Sequence, residues 1–387
     1  MPFLSNSHMK RMIYADNAAT TKLDPLVFEA MRPYFIEEYA NPSQPYSFAR
    51  RVKLALKTAR EKISACIGAD PEEIYFTSGG TESNNWVIKG ITDADSVNRS
   101  ILTTAFEHHA VLNACHAIEQ KGHSVFYLSP NSSGHIEKED LLQAMASKSV
   151  MLVSIMMVNN ELGTIQDIAE LAKIAHAYGA LFHTDAVQAI GHINVNVRDL
   201  QLDFLSASAH KFNGPKGIGF LYINKNTVNR NIFSPLHNGG KQESGMRAGT
   251  EDVASIVGMA AALEMNCKNL LKNNQHILHL NEELIAGLKV AGVKFRINGK
   301  MPKVNNILSL AFAGIEGETI LHRLDLMGIL VSTGSACDSN KTQVSHVLQA
   351  INLPNYIARS TIRISFSKDN TEEEVRDMVQ ALKKICG

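Results

Sequence analysis

A single lysine between two apolar segments is the residue around which this sequence could build chemistry. Lys211 follows the apolar segment 202–205, and a turn that contains glycine and proline separates it from a second apolar segment at 218–223. Segments of this length and composition predict buried strands on either side of the lysine. A lysine amine held away from water loses its proton readily and can form a Schiff base with an aldehyde cofactor, most often pyridoxal phosphate. A lone lysine after a strand is usually a surface charge, so the prediction depends on the residues that accompany Lys211.

Polar side chains follow several other apolar segments at the point where each segment ends. The groups are Glu107, His108 and His109 after 100–105, Asn159, Asn160 and Glu161 after 150–158, Asp185 and Gln188 after 180–183, and Ser208 and His210 after 203–207. In a parallel sheet, ligands bind in the crevice beyond the carboxyl ends of the strands. Each of these residues alone is more often a cap or turn residue, but together they predict one site.

A glycine turn supplies a candidate anion site. The predicted strand 73–77 runs into Ser78, Gly79, Gly80 and Thr81, and a helical pattern follows at 85–89. A strand, a glycine turn and a helix in this order present unpaired backbone N–H groups and the positive end of the helix to a phosphate. Many two-glycine loops are plain connections, so this signal is weak alone.

The order of the predicted elements indicates an α/β fold with two domains. Predicted strands, which include 124–128 and 219–223, alternate with helical segments over more than a hundred residues, as a mostly parallel sheet covered on both faces requires. The 387-residue chain is also longer than one core usually supports. We expect a large domain at 14–262 and a small α+β domain at 263–387, with the segment 1–13 packing on the small one. The boundary falls inside a long helical stretch, interrupted by breaks, at 253–292. Further helices are predicted at 49–67, 110–120, 168–178 and 371–385, and further strands at 307–312 and 361–367.

The composition excludes several classes of protein. Hydrophobic residues make up 45% and charged residues 20% of the chain, and Lys+Arg equals Asp+Glu at 38 each, so neither a nucleic-acid surface nor a membrane surface is expected. The five cysteines are far apart and include no C-x-x-C pair, which argues against a disulfide framework or a metal site. We expect a cytoplasmic protein, because the sequence contains neither a signal-peptide pattern nor an apolar stretch long enough to cross a bilayer.

Nine motifs in order give the chain a family resemblance. They are YADNAATT (14–21), TSGGTESNN (77–85), EHHAV (107–111), VNNELG (158–163), HTDAVQ (183–188), SAHKFNGPKG (208–217), GGKQESGMRAGT (239–250), STGSACDS (332–339) and STIRISF (360–366). With these motifs the chain resembles the cysteine desulfurases of the NifS/IscS type, which are class-V aminotransferase-like pyridoxal-phosphate enzymes of fold type I. The resemblance implies a seven-stranded, mostly parallel sheet and a homodimer. It also implies the removal of sulfur from L-cysteine, with L-alanine as the product and a persulfide that passes to an acceptor protein.

The resemblance also implies roles for residues of the motifs. Lys211 would hold the cofactor covalently and move the α-proton, and Cys337 would be the sulfur-accepting nucleophile. Asp185 would face the pyridine nitrogen, His108 would stack on the ring and move protons, Gln188 would bind the phenolic oxygen, and Asn160 would lie near that oxygen or the substrate carboxylate. The phosphate would be bound by Gly80, Thr81, Ser208, His210 and, from the second subunit, Thr250. Arg363 would pair with the substrate α-carboxylate.

Two positions depart from the family pattern, and several alternatives stay open. Tyr46 stands where relatives often have a histidine, and Asp338 follows Cys337 where relatives often have Ser or Thr. A selenocysteine lyase or another fold-type-I enzyme would share Lys211 and Asp185, and a catalytically silent interaction protein could keep the fold. The acceptor pathway could be iron–sulfur assembly, tRNA thiolation or sulfur modification of DNA.

Overall fold

The computed structural model describes residues 12–334 and 344–387, and these residues form four apolar clusters. The two largest clusters are called the first and the second core. Each core is built on a β-sheet, and a short parallel pair joins the N-terminal segment to the second core. The strands are β1 (Ile13–Tyr14), β2 (Ile74–Thr77), β3 (Ser100–Thr104), β4 (Val125–Leu128), β5 (Val150–Ser154), β6 (Leu181–Asp185), β7 (Phe204–Ser208), β8 (Gly219–Ile223), β9 (Phe295–Ile297), β10 (Leu308–Phe312), β11 (Ile329–Leu330) and β12 (Thr361–Ile364).

The α-helices lie between these strands. They are α1 (Pro25–Met31), α2 (Pro33–Ile36), α3 (Ala49–Ile67), α4 (Gly80–Ala94), α5 (His109–Glu119), α6 (Lys138–Ser147), α7 (Ile168–Ala177), α8 (Val253–Lys268), α9 (Leu270–Val290), α10 (Gly317–Leu326), α11 (His346–Ala350), α12 (Asn355–Arg359) and α13 (Glu372–Cys386). Their ends follow local rules. Helix α1 begins where Asp24 accepts a hydrogen bond from the N–H of Leu26 and Pro25 fills the first position. Helix α13 begins with a capping box between Thr371 and Glu374.

The large sheet confirms the predicted fold class. Its seven strands lie in the order β2-β8-β7-β6-β5-β3-β4, and β8 alone runs antiparallel to its neighbours. The alternation of strands and helices therefore produced the mostly parallel, helix-covered sheet that it predicts. The carboxyl ends of β5, β6 and β7 lie at one edge, which brings the polar residues after them together.

Four predicted elements differ clearly from the observed ones. The helix predicted at 85–89 is α4, which spans Gly80–Ala94. The strand predicted at 150–158 ends at Ser154, although the extended backbone continues and the N–H of Met157 donates to the carbonyl of Asp185 at 3.0 Å. The strand predicted at 361–367 ends at Ile364. The helical stretch predicted at 253–292 is two helices that meet at Asn269, and α8 packs in the first core while α9 packs in the second.

The second core combines C-terminal elements with the start of the chain. Apolar residues of α9, α10 and α13 cover a three-stranded antiparallel sheet in the order β12-β10-β9. Ile13 and Ala15 are part of this core, and β1 pairs with β11. The division at 262/263 stays a prediction. None of the helices in the two described stretches is long and apolar enough to cross a membrane.

The segment 13–21 connects the two cores directly. The side chain of Asn17 donates to the carbonyl of Ser365 at 2.9 Å, on the side of the second core. The N–H of Thr21 donates to the carbonyl of His210 at 2.8 Å, next to the lysine turn. This segment therefore lies where the two cores meet.

We predict that Gly219→Ala destabilises the protein and displaces the glycine turn after β2. A Cβ atom at Gly219 would lie 2.3 Å from the carbonyl oxygen of Ala207 and 2.7 Å from the Cα of Gly79, so backbone must move. Such overpacking costs about 1–3 kcal/mol of unfolding free energy, which urea denaturation can measure. Gly122→Ala is the control, because there a Cβ atom meets nothing within 4 Å and only the positive φ of 95° is strained. The prediction would be contradicted if Gly219→Ala lost no more unfolding free energy than Gly122→Ala does.

Candidate active site

One cavity of about 600 Å³ collects most of the predicted site residues at the carboxyl edge of the large sheet. Its lining includes Gly80, Thr81, His108, Asn160, Asp185, Gln188, Ser208, His210, Lys211 and Arg363. Thr250 is exposed and does not line this cavity, and Tyr46 is half exposed elsewhere on the surface. Cys337 and Asp338 lie outside the described residues.

Lys211 projects from a short turn that follows β7. Its Nζ donates to the carbonyl oxygens of Ala18 at 2.7 Å and Ala19 at 2.8 Å. Its own carbonyl oxygen lies 2.8 Å from Nε2 of His192, which fixes the backbone of the turn. The amine therefore lies at the cavity wall against backbone oxygens of the N-terminal segment.

The turn between β2 and α4 forms an anion cradle. Gly79 has a φ of 146°, which side-chain-bearing residues rarely adopt, and a Cβ atom on Gly80 would lie 2.5 Å from a methyl carbon of Val187. The absence of side chains here lets the unpaired N–H groups at the start of α4 reach the cavity, with the Ser208 hydroxyl beside them. These groups and the positive helix end favour a bound anion.

Asp185 is a buried carboxylate at the end of β6. It is 5% exposed, and its oxygens accept hydrogen bonds from the side chain of Asn84 at 2.6 Å and from the N–H of Val187 at 3.0 Å. The two donors fix the orientation of the carboxylate at the cavity. The sequence motif contained Asn84, but only the fold shows that this inward-facing residue of α4 supports Asp185.

One end of the Gln188 side-chain amide already forms a hydrogen bond within the protein. Its Nε2 donates to the carbonyl of Ala18 at 2.8 Å, whereas its Oε1 is buried and accepts no hydrogen bond. An unpaired buried acceptor is costly unless a ligand completes it. The cavity therefore contains a polar group whose partner is not a residue of the described chain.

Two histidines of the cavity are neutral hydrogen-bonding groups. Nδ1 of His108 accepts from the N–H of Ala110 at 3.1 Å, so its proton lies on Nε2, and burial lowers the pKa of the ring. Burial, aided by the nearby Lys211, also lowers the pKa of His210 to about 4. Nδ1 of His210 lies 3.1 Å from the hydroxyl of Thr20. Each ring can therefore contribute a hydrogen bond to a ligand without adding a positive charge.

Arg363, in β12, also lines the cavity and is held by two residues. Its Nη1 donates to the carbonyl of Asn160 at 2.9 Å, and its Nη2 donates to the carboxylate of Asp16 at 2.8 Å. Its Nε is buried and unpartnered. Asp16 belongs to the motif at 14–21, but no sequence signal assigned it a role beside the arginine.

Two buried carboxyl groups, Glu107 and Glu161, belong to the predicted cluster of polar residues after the strands, although the family resemblance gave neither of them a role. Glu107 accepts from the hydroxyl of Thr104 at 2.7 Å and from the N–H of Met156 at 2.8 Å, and burial raises its pKa to about 8. Glu161 lines the cavity and accepts from the hydroxyl of Ser345 at 2.5 Å, and burial raises its pKa to about 7. Glu107 is therefore predominantly protonated at neutral pH, and Glu161 is close to half protonated.

The comparisons with known proteins agree with this geometry. The family model for aminotransferase class-V matches residues 13–378. The chain is 46% identical over 379 residues to a protein named cysteine desulfurase IscS from Dictyoglomus turgidum, and the match covers 97% of this chain and 95% of the relative. Among solved structures, a NifS-like protein has a TM-score of 0.90 at 38% identity and covers 97% of this chain and 99% of its own. The structure of SspA in complex with cysteine has a TM-score of 0.80 at 33% identity, with coverages of 93% and 100%.

We predict that Glu107→Gln becomes more stable relative to the wild type as pH rises. The folded protein keeps the proton of Glu107 up to about pH 8, whereas an unfolded chain loses it near the ordinary pKa of about 4.3. The wild type therefore loses stability from this group between those pH values, and the glutamine variant does not. Denaturant unfolding at pH 5 and pH 9 should measure this effect. Between the two pH values, the unfolding free energy of Glu107→Gln should increase relative to that of the wild type by at least about 1 kcal/mol.

Glu139→Gln is the control for this measurement, because Glu139 is an exposed carboxyl in the first turn of α6. The same change in the control, or a pH-independent difference for Glu107→Gln, would show that Glu107 is not held protonated by burial.

Proposed function

We propose specific roles for these residues on the premise that this chain belongs to the aminotransferase class-V family and is a pyridoxal-phosphate-dependent cysteine desulfurase. The enzyme converts L-cysteine to L-alanine and transfers the sulfur. The observation that supports the assignment of roles is the single cavity in which Lys211, Asp185 and Arg363 meet.

The donor set of the cavity fits pyridoxal phosphate. The aldehyde of the cofactor requires an amine, which Lys211 supplies. The ring nitrogen requires a carboxylate as its partner, which Asp185 supplies. The phosphate would be bound by Gly80, Thr81, Ser208 and His210, which are neutral donors at the start of α4 or beside it. His108, Gln188 and Asn160 would contact the ring or its substituents. When bound, the cofactor withdraws electrons from the α-carbon of the substrate.

Lys211 would serve as the base and acid at the substrate α-carbon. The carbonyl oxygens of Ala18 and Ala19 accept hydrogen bonds from its Nζ and hold the amine at the cavity wall. His108 would present its Nε2 proton to the same region, because its Nδ1 is occupied by the helix cap. These two residues can therefore hold protons in the cavity near the reacting carbon.

Arg363 would anchor the α-carboxylate of cysteine. A guanidinium pairs with a carboxylate through directed, charge-assisted hydrogen bonds, and a buried one does so with little screening by water. The side chain of Arg363 is only 9% exposed and lines the cavity. This anchoring would place the thiol end of the substrate away from the arginine.

Cys337 would receive the sulfur. Its thiolate attacks the substrate sulfur, a sulfur–sulfur bond forms, and the carbon–sulfur bond breaks with its electron pair moving to carbon. Protonation of that carbon completes alanine, and Cys337 is left as a persulfide. We infer that the persulfide sulfur then passes to an acceptor protein in the cytoplasm. The five cysteines, which are widely spaced in sequence and include no C-x-x-C pair, support a reducing compartment.

A second copy of the chain would complete the phosphate site. Thr250 is exposed and lies outside the cavity of its own chain, as a residue that serves a partner's site would. Arg247, three residues earlier, is fixed by an ion pair of 3.0 Å with Glu82 in the first turn of α4. The loop is thus held beside the cradle by Arg247, while Thr250 lies outside the cavity of its own chain, which supports a homodimer.

We predict that Lys211 is the covalent attachment point. Borohydride treatment of the purified protein should add the mass of the reduced cofactor to the peptide that contains Lys211, as measured by mass spectrometry. Lys211→Arg keeps the positive charge but cannot form the bond, so it should lose the label. Label on the peptide of Lys216, which also lines the cavity, would contradict the assignment.

We predict that Cys337→Ser separates cofactor binding from sulfur transfer. The variant should keep the cofactor absorbance and still bind L-cysteine, yet its alanine production should fall by at least about a hundredfold, because a hydroxyl cannot replace the thiolate nucleophile. In the wild type, mass spectrometry should find the persulfide on the Cys337 peptide. Full alanine production by the variant, or a persulfide found only on Cys66, Cys115, Cys267 or Cys386, would remove Cys337 from the reaction.

A further inference from the structure

We propose that Asp16 is the counter-ion that limits the affinity of Arg363 for carboxylates. The inference rests on the proposed function, in which Arg363 binds the α-carboxylate of cysteine. Asp16 also lines the cavity, and its carboxylate lies 2.8 Å from Nη2 of the arginine. The arginine that should receive the substrate is therefore already partly neutralised by a residue of the chain itself.

The guanidinium has a defined set of remaining donors. One N–H of Nη1 is used by the carbonyl of Asn160 and one N–H of Nη2 by Asp16, and the N–H of Nε is buried without a partner. A guanidinium carries five N–H donors. An incoming carboxylate must therefore bind beside Asp16, through the remaining donors, or displace it. In both cases the negative charge of Asp16 opposes binding.

Asp16 cannot easily move away, because its backbone is fixed on both sides. Its carbonyl oxygen accepts from the N–H of Ala19 at 3.0 Å and from the hydroxyl of Tyr14 at 3.1 Å. Its backbone also forms a parallel bridge with Ser365, two residues after the arginine. Because Asp16 and Arg363 lie on directly paired segments, the fold itself places the two side chains in contact.

The second carboxyl near Arg363 does not have the same effect. Glu161 is directed to Ser345 by a 2.5 Å hydrogen bond, and its raised pKa of about 7 leaves much of it neutral at neutral pH. Among the described residues, Asp16 is the carboxylate that forms an ion pair with Arg363. The electrostatic balance of the arginine therefore depends mainly on Asp16.

A limit on carboxylate affinity suits this reaction. L-Cysteine and L-alanine carry the same α-carboxylate, so a stronger bond to it would hold substrate and product equally. Binding that is equal in all states does not lower the barrier to the reaction. By reducing this shared attraction, Asp16 would let alanine leave and would disfavour simple anions that carry no amine.

The experiment compares two cysteine fragments as competitive inhibitors of the holoenzyme. 3-Mercaptopropionate keeps the carboxylate and lacks the amine, whereas cysteamine keeps the amine and lacks the carboxylate. In Asp16→Asn, which preserves shape and a hydrogen-bond acceptor, the inhibition constant of 3-mercaptopropionate should fall by at least about tenfold, because a nearby like charge is removed. That of cysteamine should change less than about twofold. In addition, 3-mercaptopropionate should raise the melting temperature of Asp16→Asn more than that of the wild type.

Two further variants make the result decisive. Asp24→Asn is the matched control, since Asp24 forms a partly buried ion pair with Lys368 outside the cavity; its inhibition constants should match those of the wild type. Arg363→Ala should lose affinity for 3-mercaptopropionate. If Arg363→Ala binds 3-mercaptopropionate as well as the wild type does, the proposed role of Arg363 is wrong, and the inference about Asp16 is wrong as well. If Arg363→Ala weakens binding while Asp16→Asn leaves it unchanged or weaker, only the role of Asp16 is overturned.

Discussion

The site depends on hydrogen bonds made by one short stretch of backbone, the segment 14–21. Its carbonyl oxygens at Ala18 and Ala19 accept from Lys211, and the one at Ala18 also accepts from Gln188. Thr21 is tied to the lysine turn, while Asp16 holds Arg363. Residues from both cores therefore contact the same segment, 14–21. This segment sets the distance between Lys211 and Arg363, so a shift of the segment would move both residues of the site.

Burial determines the charges in the cavity as much as residue type does. Desolvation lowers the pKa of His108 and His210 and raises that of Glu107 and Glu161, so four groups that could carry charge are wholly or partly neutral at neutral pH. The carboxylate of Asp185 accepts two hydrogen bonds, and Asp16 has the guanidinium of Arg363 as its partner. In a region of low dielectric, these few charges act strongly on a ligand. The neutral His210 can then donate a hydrogen bond to a phosphate without adding a positive charge.

The sheet topology explains why these residues converge. Strands β5, β6 and β7 are parallel and adjacent, so the residues that follow them reach the same edge. Strand β8 returns antiparallel, and Gly219 at its start lies against Gly79 of the anion cradle. The anion cradle therefore packs against the central strands of the sheet. This arrangement gives an anion site whose position is fixed relative to Lys211.

The sequence by itself determined the fold class, most element positions and the main polar residues of the cavity. Strand and helix periods are local properties, and polar residues after parallel strands must share an edge, so Asp185 and Lys211 were predictable. The family motifs added Arg363, which no local pattern identifies. Only the tertiary structure decided that Asp16 pairs with Arg363, 347 positions away, and that Thr250 lies outside its own chain's cavity. It also decided the protonation of Glu107 and Glu161, because the pKa of a carboxyl depends on how completely the fold removes it from water, and sequence spacing does not contain that information.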